Sequence, residues 1–150
     1  MKKVILLAGF IVFSVSIFAQ SQFFKIDRIK VNNIPFKNES HNPWDLMSNP
    51  DIRIVILDSL NNIVYETNTF QDISQGMFPI KVEVKNSPVL KTSGITYKIQ
   101  MLDEDVTKFE LIDETDFFTF SVIAFESTFS INTKRYNIIE LEIVEYQYME

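Results

Sequence analysis

The chain of 150 residues contains no cysteine and a single histidine, His41. Without cysteine it can be neither a disulfide-stabilised secreted scaffold nor a lipoprotein anchored through a cysteine. One histidine in a polar segment leaves little scope for a Ser/His/Asp triad. The sequence also lacks a glycine-rich phosphate loop, a His-Glu-x-x-His zinc motif and a nucleophile elbow. These absences argue against an enzyme, and we expect no catalytic activity.

The first residues have the composition of a secretory signal peptide. Lys2 and Lys3 give a positively charged start, residues 4–18 form an apolar run, and Ala19 provides a small residue before the expected cleavage point. The run is shorter than the ~20 residues that span a bilayer, so a retained membrane anchor is the weaker interpretation. We expect residues 1–19 to be removed and residues 20–150 to form one domain in the periplasm, on the cell surface or in the medium.

Acidic residues outnumber basic residues in this chain. There are 20 Asp and Glu against 14 Lys and Arg, a formal net charge of −6, and the loss of Lys2 and Lys3 would make the remaining domain more acidic. Nucleic-acid binding requires a basic stripe that releases counterions, whereas here the basic residues are scattered among acidic ones. We therefore expect no nucleic acid as a partner, and solubility explains most of the carboxylates.

The apolar residues after the leader follow the two-residue period of β-strands, and segments with a helical period are nearly absent. One break in alternation in the first strand is typical of a bulge. The second and third strands flank a turn containing asparagines and should pair as a hairpin, and the fourth should lie beside the fifth. Seven or eight short antiparallel strands without a covering helix predict an all-β sandwich. The predicted strands comprise residues 24–31, 52–57, 63–67, 80–85, 96–102, 117–123 and 138–146.

Aspartates occur in two clusters at the expected ends of strands. Asp45 and Asp51 precede one predicted strand, and Asp103 and Asp105 follow another. Carboxylates that converge repel one another, so a fold that gathers them usually places a hard cation between them, and calcium takes ~6–8 oxygen ligands. The second cluster also contains Asp113 and Asp116, and the last ligand would be one of these two or neither of them. The alternative is that these aspartates only form turns and strand starts, as aspartates commonly do.

Three segments of the chain resemble the C2 domain family. Residues 44–54, which contain Asp45 and Asp51 six positions apart, are similar to the first calcium loop of the family and the strand after it. Residues 97–105 look like the strand that enters the third calcium loop, and residues 116–120 look like the exit from that loop. The resemblance covers roughly residues 24–146 and implies an eight-stranded antiparallel Greek-key β-sandwich. It also implies a calcium site formed by Asp45, Asp51, Asp103, Asp105 and Asp116.

The resemblance further implies a binding module. Leu46 and Met47, together with Val106 and Phe109, lie next to the expected ligands and would suit docking on a phospholipid membrane surface, although packing beneath their own loops is the simpler interpretation. A glycan or an envelope protein is an alternative partner, and Trp44 is the only tryptophan available for stacking on a sugar. The competing hypothesis is a metal-free structural or interaction domain of the cell envelope.

Overall fold

The computed structural model describes residues 22–38, 40–44, 48–91, 94–105, 108–120, 127–135 and 137–148. The predicted signal peptide and the candidate residues Asp45, Leu46, Met47 and Val106 lie outside these ranges. Nine strands and one short 3-10 helix, Gln75–Met77, are present in the described part of the chain. No helix in that part is long and apolar enough to cross a membrane. The strands are β1 (Gln22–Val31), β2 (Ile52–Asp58), β3 (Ile63–Glu66), β4 (Ile80–Glu83), β5 (Leu90–Lys91), β6 (Tyr97–Glu104), β7 (Phe109–Glu114), β8 (Ser127–Asn132) and β9 (Ile138–Tyr148).

The strands form two antiparallel sheets. The first sheet has the order β4-β1-β9-β8, with β5 also paired to β1, and the second has the order β3-β2-β6-β7. Strands far apart in sequence are neighbours, notably β1 with β9 and β2 with β6. The predicted all-β sandwich is therefore confirmed. The predicted count of eight strands is wrong, since nine strands are found among the described residues.

The core lies between the two sheets and follows from strand alternation. In β6, Tyr97, Ile99 and Met101 are buried while the residues between them are only partly buried. They pack in one cluster with Ile29 of β1 and Leu141 of β9, which are 0% exposed. Because successive side chains of a strand point to opposite faces, each inner face can be apolar while the outer face carries charge.

Two predictions that rest on residues close together in sequence are confirmed, the hairpin of β2 and β3 and the bulge in β1. The two strands flanking the asparagine turn pair as predicted, and Asn61 in that turn has a left-handed φ of 62°. The predicted bulge in the first strand is present as register shifts around Ile26 in the pairing of β1 with β9. The predicted neighbour of residues 80–85 was wrong, because β4 pairs with β1 rather than with β6.

Three strands were missed and one was placed wrongly. The predicted strands do not include β5, β7 or β8, which pair antiparallel with β1, β6 and β9 respectively. Within the predicted strand at 117–123, Phe118 makes only a single bridge to Tyr97, residues 119–120 have no strand structure, and residues 121–126 lie outside the described ranges. The chain therefore turns back along the second sheet immediately after β6.

Replacement of a core isoleucine tests this packing. Ile99 is 0% exposed, so Ile99→Ala should lower the free energy of unfolding by about 2–5 kcal/mol through lost burial and the cavity left behind. Ile63 is 59% exposed, so Ile63→Ala serves as the matched control and should change the free energy of unfolding by much less. Urea unfolding of both variants measures the difference, and equal losses would contradict the assigned core.

Candidate functional site

Asp51 and Asp103 meet at the end of the second sheet where β2 begins and β6 ends. Ile52 pairs with Asp103 across the two strands. The backbone N–H of Asp51 donates to Oδ1 of Asp103 over 2.8 Å, and the N–H of Glu104 donates to the Asp51 carbonyl over 2.8 Å. The Asp103 side chain is buried, with its residue 1% exposed. The fold thus brings together two predicted site residues that lie far apart in sequence.

A third carboxylate, which the sequence did not single out, extends this arrangement. Oδ1 of Asp51 accepts the backbone N–H of Asp72 over 2.7 Å. Oδ1 of Asp72 in turn accepts both the backbone N–H and the side-chain amide of Asn49, each over 3.0 Å. The N–H of Ile73 donates to the Pro50 carbonyl. The carboxylates here form a chain of hydrogen bonds, mainly to backbone N–H groups, that joins two loops to β6.

Asp105 lies in the turn that follows β6. Its backbone N–H donates to the Lys108 carbonyl over 3.0 Å, and Nζ of Lys108 lies 3.8 Å from Oδ2 of Asp105. The pKa of Lys108 is raised, first by its hydrogen bond to Glu110 and further by the charges of Glu110, Asp105 and Asp103. A protonated lysine therefore lies next to the predicted third-loop ligands.

The described residues do not form a calcium site by themselves. Among them, no group of three His, Cys, Asp or Glu side chains is arranged to hold a metal ion. Asp51 and Asp103 are adjacent, but calcium takes ~6–8 oxygen ligands. A complete site would therefore need Asp45, which lies outside the described residues, or oxygens from solvent and backbone.

The structure separates Asp116 from the other predicted ligands. Because β7 runs antiparallel to β6, the chain after β7 returns to the start of β6, where Phe118 bridges to Tyr97. Asp103 is six positions further along β6, which corresponds to about 20 Å at the rise of a strand. Asp116 is exposed at this opposite end. The expectation that Asp116 converges with Asp103 is therefore not met, because the unpredicted strand β7 carries the chain away.

Asp113, the alternative to Asp116, has a different role. It is buried, at 3% exposure, in β7. One oxygen accepts the backbone N–H of Glu114 and, over 3.2 Å, that of Arg135, and the other accepts the hydroxyl of Thr133 and the amide of Asn137. Its carboxylate thereby holds the turn between β8 and β9 against β7 and has no capacity left for a metal ion.

A groove of about 700 Å³ runs between β7, the turn between β8 and β9, and the segment that contains Asn38, Ser40 and Trp44. The Trp44 ring is fixed by a hydrogen bond from its Nε1 to the Pro35 carbonyl over 2.6 Å. The guanidinium of Arg135 lies over this ring, 5.8 Å from its centroid. Sequence reasoning missed Arg135, since no local pattern marks it and only the tertiary fold places it beside the tryptophan.

Glu114 adds an ionised carboxylate at one end of the groove. Its side chain lies 3.2 Å from Nζ of Lys98, 2.5 Å from Nζ of Lys134 and 2.8 Å from the amide of Gln100. Burial alone would raise the pKa of Glu114, but the hydrogen bonds from Gln100, Lys134 and Lys98 outweigh burial and lower the pKa from 4.5 to about 2. Glu114 therefore remains negatively charged at neutral and mildly acidic pH.

The comparisons with known proteins concern the fold. No family model matches the chain, and the sequence comparison with curated proteins found no match. The structure is similar to part of human GIVD cytosolic phospholipase A2, solved in complex with methyl gamma-linolenyl fluorophosphonate, with a TM-score of 0.58 and 12% identity over 87% of this chain and 18% of the phospholipase. A C2 domain protein from Ramazzottius varieornatus matches with a TM-score of 0.42 and 12% identity over 83% of this chain and 91% of that protein. The likeness is one of fold, and it supports the C2-like sandwich that the sequence resemblance implied.

The lowered pKa of Glu114 predicts a specific dependence of stability on pH. A carboxylate with a folded-state pKa below its unfolded value stabilises the fold above the unfolded pKa, and this contribution is lost as the pH falls through the folded pKa. Glu114→Gln should therefore lower the free energy of unfolding at pH 7, and the deficit should shrink as the pH falls from about 4.5 to about 2.

Urea unfolding of the parent and the variant across this pH range measures the effect. In a Lys134→Gln background, one of the donors to Glu114 is missing, so the pH-dependent part of the deficit should be smaller. A deficit that stays constant from neutral to strongly acidic pH would contradict the assigned ion pairs.

Proposed function

We propose that this protein is a non-catalytic, C2-like binding module that acts outside the cytoplasm after removal of residues 1–19. The observation that carries the proposal is the C2-like sandwich in which Asp51 and Asp103 lie side by side, where β2 begins and β6 ends. Loops at one end of a rigid sandwich are a common place for binding residues. The partner would be a phospholipid membrane surface, a glycan or an envelope protein.

Calcium is the first candidate for an ion bound between the loops at this end of the sandwich. The proposed ligands are Asp45, Asp51, Asp103 and Asp105, and Asp116 is left out because β7 places it at the opposite end of β6. Oxygen donors of this kind suit calcium, whose coordination is flexible in number and geometry. Binding only to the folded state would stabilise the fold by mass action.

A metal-free interaction domain is the second candidate, and a specific observation favours it. Asp51, Asp72 and Asp103 each accept a backbone N–H, so the two loops are already tied to β6 by hydrogen bonds within the protein. Carboxylates used in this way do not need a cation to hold the loops. In this form the module would bind its partner whether or not calcium is present.

Thermal unfolding in calcium and in EDTA distinguishes the two candidates. If calcium binds, the melting temperature of the exported form should rise with calcium concentration. The free energy of unfolding should increase by about 2.7 kcal/mol when calcium is at a hundredfold excess over its dissociation constant. The double variant Asp103→Asn, Asp105→Asn should abolish this rise. Asp116→Asn is the matched control and should keep the rise, because Asp116 lies at the other end of β6.

The readout is the calcium dependence of the melting temperature rather than its absolute value. This matters because Asp103→Asn alters a buried residue that accepts the Asp51 N–H and can lower stability by itself. A melting temperature that is the same in EDTA and in millimolar calcium would reject the calcium hypothesis and leave the metal-free module. Loss of the rise in Asp116→Asn would contradict the placement of the site.

A further inference from the structure

β8 is the last strand of the first sheet, and no described strand pairs with its outer side. Its six residues, Ser127–Asn132, pair with β9 in unbroken register. A strand at the edge of a sheet presents unpaired N–H and C=O groups to which another strand can add. A second chain can therefore extend the first sheet at β8, unless the sequence of the strand prevents it.

The other edges in the described part of the two sheets have features that protect an exposed strand. In β4 the charged residues Lys81 and Glu83 alternate with apolar ones, and β5 is only two residues long. β3 ends at Glu66 and has a register shift in its pairing with β2. β7 has a register shift in its pairing with β6, and the turn between β8 and β9 closes one end of it. Charges, short strands and bulges all hinder pairing between edges.

β8 has none of these protective features. Its six residues include no charged residue, no proline and no glycine, and its pairing with β9 shows no register shift. Thr128, Phe129 and Ile131 are of the β-branched and aromatic types that favour strands. A regular, uncharged edge of this kind is the type that pairs with another edge. β8 is thus the unprotected edge among the strands that the structure describes.

The hydrogen bonds next to β8 show which of its backbone groups face outward. The N–H of Thr133 donates to the Asn137 carbonyl over 2.8 Å, so Thr133 belongs to a hydrogen-bonded pair with the chain of β9. Hydrogen-bonded and non-hydrogen-bonded pairs alternate along an antiparallel ladder. Counting back from Thr133, every second residue of β8 bonds to β9. The N–H and C=O groups of Thr128 and Ser130 therefore point to the open side.

The open side is limited at the end of β8. Thr133 bridges to Thr115, which directly follows β7. The chain after β7 therefore occupies the outer side from this point onward. The stretch of β8 that remains open is residues 127–131, and its central residue is Phe129.

A second copy of the chain fits this stretch in antiparallel orientation. When Phe129 lies opposite the partner's Phe129, Thr128 lies opposite the partner's Ser130, and Ser130 opposite the partner's Thr128. These are the residues with outward N–H and C=O groups, so each pair can exchange both of its N–H···O bonds. The two Phe129 rings fall in a non-hydrogen-bonded pair, where opposite side chains are closest and aromatic pairs are stabilising. The arrangement is two-fold symmetric, as most soluble dimers are.

The charges near β8 do not oppose contact between two acidic chains. The strand itself is uncharged, and the carboxylates of β9 beside it are already paired, Glu140 with Lys30 and Glu142 with Arg28. The charged residues next to β8 in sequence or in space are Glu126 at its start and Lys134, Arg135, Asp113, Glu114 and Asp116 at its end. In an antiparallel pair the start of one strand meets the end of the other, so neither end gathers charge of one sign only.

We propose that two copies of this protein associate through β8, antiparallel about a two-fold axis at Phe129, so that their first sheets form one continuous sheet. The contact is a single pair of strands and hence a small interface. We therefore expect a weak dimer, with a dissociation constant in the micromolar range or above. The pairing uses no residue of the acidic end of the second sheet and does not depend on calcium.

Sedimentation velocity of the exported form in EDTA, from about 1 µM to about 1 mM, tests the proposal. We expect dimers whose fraction rises with protein concentration. Ser130→Pro should remove them, because proline has no N–H and the N–H of Ser130 points to the open side. Proline is tolerated where the N–H of an edge strand faces solvent, so the melting temperature of this variant should stay close to that of the parent.

Charge substitutions test the register and the identity of the partner. The double variant Thr128→Lys, Ser130→Lys places like charges opposite one another in the dimer, and so does Thr128→Glu, Ser130→Glu. Each variant alone should dimerise about tenfold more weakly than the parent, or weaker still. An equimolar mixture of the two should recover dimers, because it brings opposite charges face to face. Recovery also shows that both variants are folded.

The matched control is the double variant Ser59→Lys, Asn68→Lys, since both residues are exposed on the β3 side of the second sheet. It should dimerise like the parent, and loss of its dimers would reject β8 as the interface. A parent protein that stays monomeric at about 1 mM would overturn the proposal. So would dimers that survive Ser130→Pro, or a mixture that is no more dimeric than either charged variant alone.

Discussion

The burial of one face of β6 is the constraint on which the rest of the structure depends. Tyr97, Ile99 and Met101 face the other sheet, and Asp103 is the next residue of the same alternating row. Its carboxylate is therefore carried inward at the edge of the core, where a carboxylate must find hydrogen-bond donors. Asp51 provides one from the backbone. The acidic end of the sandwich is thus a consequence of the two-residue period that also builds the core.

The parts of the fold that could be predicted from the sequence are those with local signals. The alternation of β6, the hairpin of β2 and β3 and the bulge of β1 each follow from residues close in sequence. β7 lacks such a signal because Ile112 and Asp113, which are consecutive, are both buried where its pairing with β6 shifts register. A strand of this kind loses its two-residue period, so its residues do not stand out from a loop.

The missed strand also explains why the candidate site was predicted only in part. Without β7, residues 103–116 resemble one loop that returns to its starting point, and Asp116 then falls next to Asp103. With β7 in place, the same chain crosses the sheet and leaves Asp116 at the far end. Asp72 was missed for a related reason, because its contact with Asp51 arises between loops and no spacing in the sequence marks it.

The carboxylates of this acidic chain differ in how much of their bonding capacity is used. Asp113 accepts hydrogen bonds on both oxygens from three residues besides its neighbour, so it can only be structural. Asp72 and Asp51 bond backbone N–H groups through one oxygen and order the loops at the other end of the sheet. Glu114 on the same strand pairs with Lys98 and Lys134. Aspartates therefore fasten a turn at one end of the second sheet and link loops to β6 at the other end.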